Sequence, residues 1–401
     1  MLEFQRLSAL YQEMLLGTIV PFWLRHSADR TCGGFYNVLT DAGEVVDADK
    51  AITVQAQQAW AFATLYKQVD AQAAWLEHAR HGADFLANYA HDHKLNCYSI
   101  VDRRGRPVAP ATDALPDCAV AQAYVRMFAA TGNDDWAMPA KQTLQNLLRR
   151  RQAIRTGRAQ EIGGFRQWQH LSEPVAVLKT LLDTRELLSE ESWKEAIGEV
   201  LHELLHEFTD RRADLLREYV LPEGSFCNTP QGRQLSPGLT FQAAGYMLDL
   251  AHLTNNRKLS MQAIAWSLRI AEWAWDTAVG GFVQWVDMKD QPVPEPTVNH
   301  RLAWVHLEAL STFIKGYLYT HHPECPKWFS RVHDYTFTGF ADPTGKGWYP
   351  VIDAKGQPVL PLKATPTEGC YHQIKCMHEA WQTLEQCALL QPAGRYSRTY
   401  R

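Results

Sequence analysis

The sequence predicts an all-α fold: a single (α/α)6 barrel, or toroid, over residues 1–401, with short β-hairpins at the active-site end. Three observations predict it. A short aromatic pattern recurs along the whole chain. Two stretches with helical spacing lie between successive copies. The two stretches differ from each other in composition in the same way each time.

The chain opens with an amphipathic helix over about residues 2–24. The first aromatic copy follows as "GGFYNVLTDAGEVV" (33–46). Later copies read "LNCYSIVDRRGRPV" (95–108), "IGGFRQWQ" (162–169), "LLREYVLPEGSF" (215–226), "GGFVQWVDMKDQPV" (280–293) and "GKGWYPVIDAKGQPVL" (345–360). The markers Gly34, Asn96, Gly164, Arg217, Gly281 and Gly347 stand 53 to 68 residues apart. Alternating aromatic and β-branched residues with a D-x-x-G turn or its relative predict a hairpin in each copy.

The first copy leads into "DKAITVQAQQAWAFATLYKQ" and then "AAWLEHARHGADFLANYA". The second leads into "ALPDCAVAQAYVRMFAATG" and then "WAMPAKQTLQNLLRRRQ". Further pairs begin near Ser172 and Glu190, Ser236 and Lys258, and Asn299 and Glu324. The last copy leads into "EGCYHQIKCMHEAWQTLEQCALL". Ser236-Pro237-Gly238 reads as a helix start, with Ser as cap and Pro in the first turn. The first member of each pair is apolar nearly all round, and the second carries charge on one face, as in "KEAIGEVLHELLHEF". An all-round apolar helix is interior and an amphipathic one is exterior. About twelve helices in six such pairs give an inner and an outer ring. An open α-solenoid, the rival, has shorter repeats and rarely carries aromatic hairpins.

Composition narrows the partners. A net charge of −4 argues against nucleic acid and against an anionic membrane. No apolar run reaches membrane-spanning length, and the first residues carry charge throughout, unlike a secretory signal. None of the eight cysteines forms a C-x2-C pair, so they read as reduced thiols of a cytoplasmic protein. Most of the fourteen Trp and fifteen Tyr read as large core residues, and a sugar-binding cleft is one further place for rings with a polar tip. No glycine-rich phosphate loop occurs, and no cofactor or metal is expected. His202 and His206 are four apart but lack H-E-x-x-H order and lie on an outer helix, so they read as no metal pair.

Each inner helix would start at the hairpin end, so polar residues in its first two turns converge on one cavity. They are Gln55, Gln57 and Gln58; Asp117 and Cys118; Glu173; Thr240 and Gln242; His300, His306 and Glu308; and Tyr371, His372 and Lys375. His372 has the chemistry of a general acid or base near neutral pH. Trp304 and Glu308 are four apart on one face, a ring beside a carboxylate. His306 falls on another face, and Asp117 stands where helix capping is the alternative.

From about Phe22 to Leu384 the chain carries "FWLRHSADRTCGGF", "GRQLSPGLTFQAAGYML", "RLAWVHLEALSTFIKGY" and "LKATPTEGCYHQIKC" in that order, and this order resembles the N-acylglucosamine 2-epimerase family. "FWLRHSADRTCGGFYNVLTDAGEVVDADKAITVQAQQAW" is similar to the family's W-x-x-H-S-x-D-x-x-x-G-G-F and D-K-x-x-x-x-Q-G-R-Q-x-W. "GRQLSPGLTFQAAGYML" is similar to G-R-Q-L-N-P-G-H-x-x-E-A-x-x-x-L. "RLAWVHLEALSTFIKGY" and "LKATPTEGCYHQIKC" are similar to K-L-W-W-x-H-x-E-A-x-x-A-F-x-x-G-Y and I-K-G-x-x-x-K-G-x-x-H-x-x-R. The resemblance implies the same (α/α)6 barrel and proton transfer next to a sugar carbonyl by two His on opposite sides. It implies that His372 and Glu308 are catalytic. The family's other His falls at Leu239, its Glu at Gln242 and its Arg at Gln57. The expectation is a sugar isomerase or epimerase that keeps one of two bases, with Lys363, Lys375 or water as substitute for the other. Gln57, Asp117, Leu239, Gln242, Trp304, His306, Lys363 and Tyr371 are expected to bind the sugar. Two alternatives stand beside it: a glycosidase or lyase pairing Asp117 or Glu173 with Glu308, and a non-catalytic carbohydrate-binding protein. Family members are often dimers, so a homodimer is the oligomer the resemblance implies.

Overall fold

A computed structural model describes residues 2–36, 38–157, 167–342, 344 and 347–390. Most of the third aromatic copy, with its marker Gly164, and residues 345–346 of the sixth lie outside the described residues.

Among the described residues twelve long helices form two rings. The first, α1, runs from Phe4–Glu13 through a π-helical stretch, Met14–Ile19, into Val20–His26. The inner helices are α2 (Ile52–Gln68), α4 (Leu115–Thr131), α6 (Ser172–Asp183), α8 (Pro237–Leu253), α10 (Ala303–Thr320) and α12 (Tyr371–Leu390). The other outer helices are α3 (Ala73–Tyr89), α5 (Asp134–Gly157), α7 (Glu190–His202), α9 (Arg257–Ala274) and α11 (Glu324–Gly339). Packing fixes the ring: α2 meets α4, α4 meets α6, α6 meets α8, α8 meets α10, α10 meets α12, and α12 returns to α2. Each inner helix carries the next helix in sequence on its outside, and α1 closes the circle against α12. The expected (α/α)6 barrel is therefore present. No helix among the described residues is long and apolar enough to cross a membrane.

Local sequence explains the helix starts. Ser236 caps α8, its Oγ accepting the Leu239 N–H at 3.3 Å, with Pro237 at the first helical position. Ser189 and Asn256 cap α7 and α9 in the same way. The buried apolar cluster runs from Phe4 to Cys387 and draws on both rings.

The hairpins meet the expectation in part. Copies one and two do fold back on themselves, Val38–Leu39 on Val45–Asp47 and Tyr98–Val101 on Pro107–Pro110. The sixth copy folds back as well, the Val359 N–H donating to the Val351 carbonyl at 3.2 Å, and Leu215–Leu216 of the fourth pairs locally with Thr209–Asp210. Other strands pair across repeats, beginning with Lys50–Ala51 on Tyr98–Val101. Gln169–His170 pairs with Tyr219–Val220, Gln234–Leu235 with Val286–Asp287, and Arg301–Leu302 with Val351–Ile352. In each case the strand entering an inner helix is matched by the strand of the following repeat. Strands this short need a partner outside their own turn to satisfy their backbone groups.

A second recurring device lies beneath these strands. Asp29, Asp276 and Asp342 each open a turn whose N–H donates at 2.9 Å to the carbonyl of Gly34, Gly281 or Gly347. Gly34 and Gly281 take φ of 66° and 78°, a region that favours glycine. The Asp carboxylates then hold a cation: Lys50 at 3.2 Å, Arg301 at 2.7 Å and Lys363 at 2.7 Å. Lys363 is thus the sixth repeat's version of a structural pair, buried with Asp342 and lying over the Tyr349 ring. Lys363→Met strands a buried carboxylate and is expected to cost about 3–5 kcal/mol of stability, read by denaturant unfolding. A change below about 1 kcal/mol would contradict that assignment.

Candidate functional site

The inner helices begin at the hairpin end and enclose a cavity of about 830 Å³. Gln57 of α2, Cys118 and Gln122 of α4, and Ser172 and Lys179 of α6 line one half. Leu239, Gln242 and Tyr246 of α8, Trp304 of α10, and Tyr371 and His372 of α12 line the other. His170, Glu218, Trp285, His300 and Glu368 are added by the loops and strands above.

One chain of contacts organises the α12 side. His372 Nδ1 lies 2.7 Å from Glu308 Oε1. Glu308 Oε1 also accepts from Gln242 Nε2 at 3.2 Å, and Oε2 accepts from Lys375 Nζ at 2.8 Å. Glu308 is 2 % exposed, and burial alone would raise its pKa. The Lys375 ammonium and the His372 bond outweigh that and hold it at about 2. An ionised carboxylate at Nδ1 fixes the proton there and leaves Nε2 with its lone pair. The Trp304 ring lies beside the imidazole, with centroids 5.3 Å apart. Gly238 lets that indole lie close against the start of α8, because a Cβ there would collide with the ring.

Among the described residues, Glu308, His372 and Cys376 form one group whose ligand atoms lie within 4.8 Å of one another. Lys375 already occupies the free carboxylate oxygen, and its charge opposes a metal cation at that point. Burial pushes the Cys376 thiol up, so it keeps its proton. This donor set suits a hydrogen-bonded imidazole better than a metal.

The predicted residues divide cleanly. Gln57, Leu239, Gln242, Trp304, Tyr371 and His372 line the cavity, and Glu308 stands directly behind His372. Asp117, His306 and Lys363 do not line it. Asp117 is buried in the first turn of α4, but its Oδ1 accepts from Arg150 Nη1 of outer helix α5 at 2.9 Å. His306 is fully buried on the far face of α10. Its Nε2 accepts the Phe282 N–H at 2.9 Å, and its Nδ1 lies 2.8 Å from the Leu302 carbonyl. Burial, reinforced by Arg301, lowers its pKa to about 3, so it is a neutral packing group. Lys363 belongs to the Asp342 turn described above.

Other polar residues at helix starts are also structural. Gln55 bonds both backbone groups of Phe35, Gln58 bonds Ser27 and lies 2.9 Å from His78, and Thr240 returns to the Ser236 carbonyl. Glu173 faces Arg151 beside Glu203. The carboxylate pairings of Asp117 or Glu173 with Glu308 are therefore not brought into the cavity.

Sequence reasoning missed several lining groups. Lys179 lies in the third turn of α6, deeper than the first two turns of the helix, and pairs with Asp183 at 2.5 Å. His170 sits on a short strand, and Glu218 just before the partner strand Tyr219–Val220, in a register that no local pattern reveals. Glu368 precedes α12, and burial pushes its carboxyl up to about 8. Its folded pKa lies above the ordinary 4.5, so the fold favours its neutral form. Stability from this group is full below about 4.5 and lost as pH rises to about 8. Glu368→Gln keeps the neutral form at every pH. Its melting temperature relative to wild type is expected to rise between pH 5 and pH 8.5, and a pH-independent difference would contradict the burial effect.

Residues 33–376 match the family model of N-acylglucosamine 2-epimerase (GlcNAc 2-epimerase). The N-acylglucosamine 2-epimerase of Rattus norvegicus is 28 % identical over 391 residues, covering 94 % of this chain and 92 % of the rat protein. Among solved structures, cellobiose 2-epimerase from Bacillus thermoamylovorans superposes with a TM-score of 0.81 at 21 % identity, over 94 % of this chain and 99 % of that one. A D-mannose isomerase gives 0.80 at 15 % identity, over 94 % and 98 %. At those identities the structural likeness speaks for the fold.

Proposed function

The chain belongs to the N-acylglucosamine 2-epimerase family, and from that premise we propose that it is a sugar 2-epimerase or isomerase acting on the open-chain form. The observation that carries this reading is the His372–Glu308–Lys375 chain beneath Trp304. His372 Nε2 takes the proton from C2, and the bond pair becomes the C1–C2 π bond of an enediolate. Glu308 holds the tautomer and stabilises the imidazolium that forms. Lys375 and Gln242 occupy its remaining acceptor sites, which keeps it ionised.

Trp304 offers an apolar face to the sugar, and Gln57, Gln242 and Tyr371 offer hydrogen bonds to its hydroxyls. Leu239, Gln242 and Gln57 stand where the family pattern has His, Glu and Arg. Leu cannot move a proton, so His372 is the base that remains from the family pair. Reprotonation by His372 at C1 on the same face yields a ketose. Eight unpaired cysteines support a reducing, cytoplasmic setting.

The test is a product screen. Mannose, glucose, fructose, cellobiose and N-acetylated hexosamines are incubated with the protein and resolved by carbohydrate chromatography. A C2 epimer or an aldose–ketose conversion from at least one is expected. Failure with every sugar, or release of reducing ends from oligosaccharides, would overturn the reading.

A further inference from the structure

His372 has a counterpart across the cavity. α6 and α12 stand three places apart in the closed ring of six inner helices, so they face each other across it. His170 lies just before α6, as His372 lies at the start of α12. Both line the cavity, and both are backed by a buried carboxylate. His170 Nε2 is 3.2 Å from Glu218 Oε1, and the second oxygen of Glu218 accepts from Gln234 Nε2 at 2.9 Å. This repeats the pattern of His372 on Glu308, where Lys375 occupies the second oxygen. In both pairs the imidazole is the more exposed partner: 34 % against 7 % for His170 and Glu218, and 16 % against 2 % for His372 and Glu308. Among the described residues, these are the two cavity-lining imidazoles paired with a carboxylate.

The backbone holds this second pair in place. Gln169–His170 pairs with Tyr219–Val220, and the Leu171 N–H donates to the Glu218 carbonyl at 2.9 Å. The Tyr219 ring packs edge-on against His170 at 4.6 Å. On its other side, His170 Nδ1 meets Ser172 Oγ at 2.5 Å and the Ser172 N–H at 3.2 Å. With Glu218 on Nε2–H, Nδ1 is the working nitrogen, and the Ser172 hydroxyl is its outlet to the cavity.

We infer that His170, held by Glu218 and acting through Ser172, is the second proton-transfer group, on the side of the substrate opposite His372. The inference rests on the epimerase or isomerase reading and decides between its two outcomes. His372 removes the C2 proton, the C–H pair forms the C1–C2 π bond, and the carbonyl pair moves onto O1. His170 in its charged form passes its Nδ1 proton to Ser172 Oγ as the Ser172 hydroxyl proton goes to C2 from the other face. The O1 pair re-forms the carbonyl, and the C1–C2 π pair becomes the new C2–H bond. His372 leaves protonated and His170 neutral, and both re-equilibrate with cavity water. Configuration at C2 is inverted, which one base on one face does not achieve.

The experiment follows a single active aldose from the screen in D2O, by proton NMR at C2 together with the epimer-to-ketose ratio. Wild type is expected to form the epimer. His170→Gln is expected to slow epimer formation by about 10²- to 10⁴-fold while C2 exchange through His372 stays within about tenfold. Ser172→Ala removes only the outlet and is expected to shift the ratio in the same direction with the imidazole in place. Retained exchange shows that each variant is folded. If wild type yields only ketose, or if both variants keep the wild-type ratio, the inference is overturned and the family reading stands. If wild type neither exchanges nor converts any sugar, that reading fails and this one with it.

Discussion

His372→Asn is expected to lower turnover of the active sugar by about 10²- to 10⁴-fold while leaving the protein folded. The imidazole is only partly buried, and its Nδ1 bond to Glu308 is one of three that this carboxylate receives. Asn keeps a donor near Glu308 but has no basic nitrogen to accept the C2 proton. The loss should appear in kcat more than in KM, because a proton acceptor acts in the transition state. A variant that keeps wild-type turnover would remove His372 from the chemistry.

Glu308→Gln is expected to damage stability and turnover together. It leaves Lys375, 1 % exposed at its side chain, without its close carboxylate, and Glu379 at 4.0 Å is a weaker substitute. Breaking a buried pair from one side costs about 3–5 kcal/mol. The amide also presents a neutral group to His372 Nδ1, so the imidazolium loses its counter-charge. The pH dependence has a definite sign. The folded pKa of Glu308, about 2, lies below the ordinary 4.5, so its contribution is present above about 4.5 and lost as pH falls to about 2. The stability gap between wild type and variant should therefore shrink in acid. Urea unfolding at pH 7 and pH 3 reads it, and a gap that is absent at pH 7 or widens at pH 3 would contradict the network.

The ring of helices was legible because inner and outer helices differ in composition all round, and that difference survives without any knowledge of contacts. The Ser236 cap was legible for the same local reason, and so was the shared face of Trp304 and Glu308, which both meet His372. What stayed hidden depends on partners distant in sequence. Asp117 stands at a helix start, yet Arg150 on the neighbouring outer helix takes its carboxylate. Lys363 is one of a series of turn cations, visible only once Asp342 is seen beside it. His170 and Glu218 meet through a strand pairing 48 residues apart, and two-residue strands carry too little pattern to set register. Gln242 illustrates the mixed case. Its place in the cavity followed from the helix start, whereas its role as a donor to Glu308 needed α10 in place.

Solvent isotope exchange reads removal of the C2 proton by His372 itself. The sugar panel is incubated in D2O with wild type and with His372→Asn, and the C2 proton is followed by NMR. Deuterium is expected at C2 of at least one sugar with wild type, and its loss is expected in the variant. Exchange that persists undiminished in His372→Asn, or wild type that leaves C2 protonated in every sugar while still converting one of them, would contradict it.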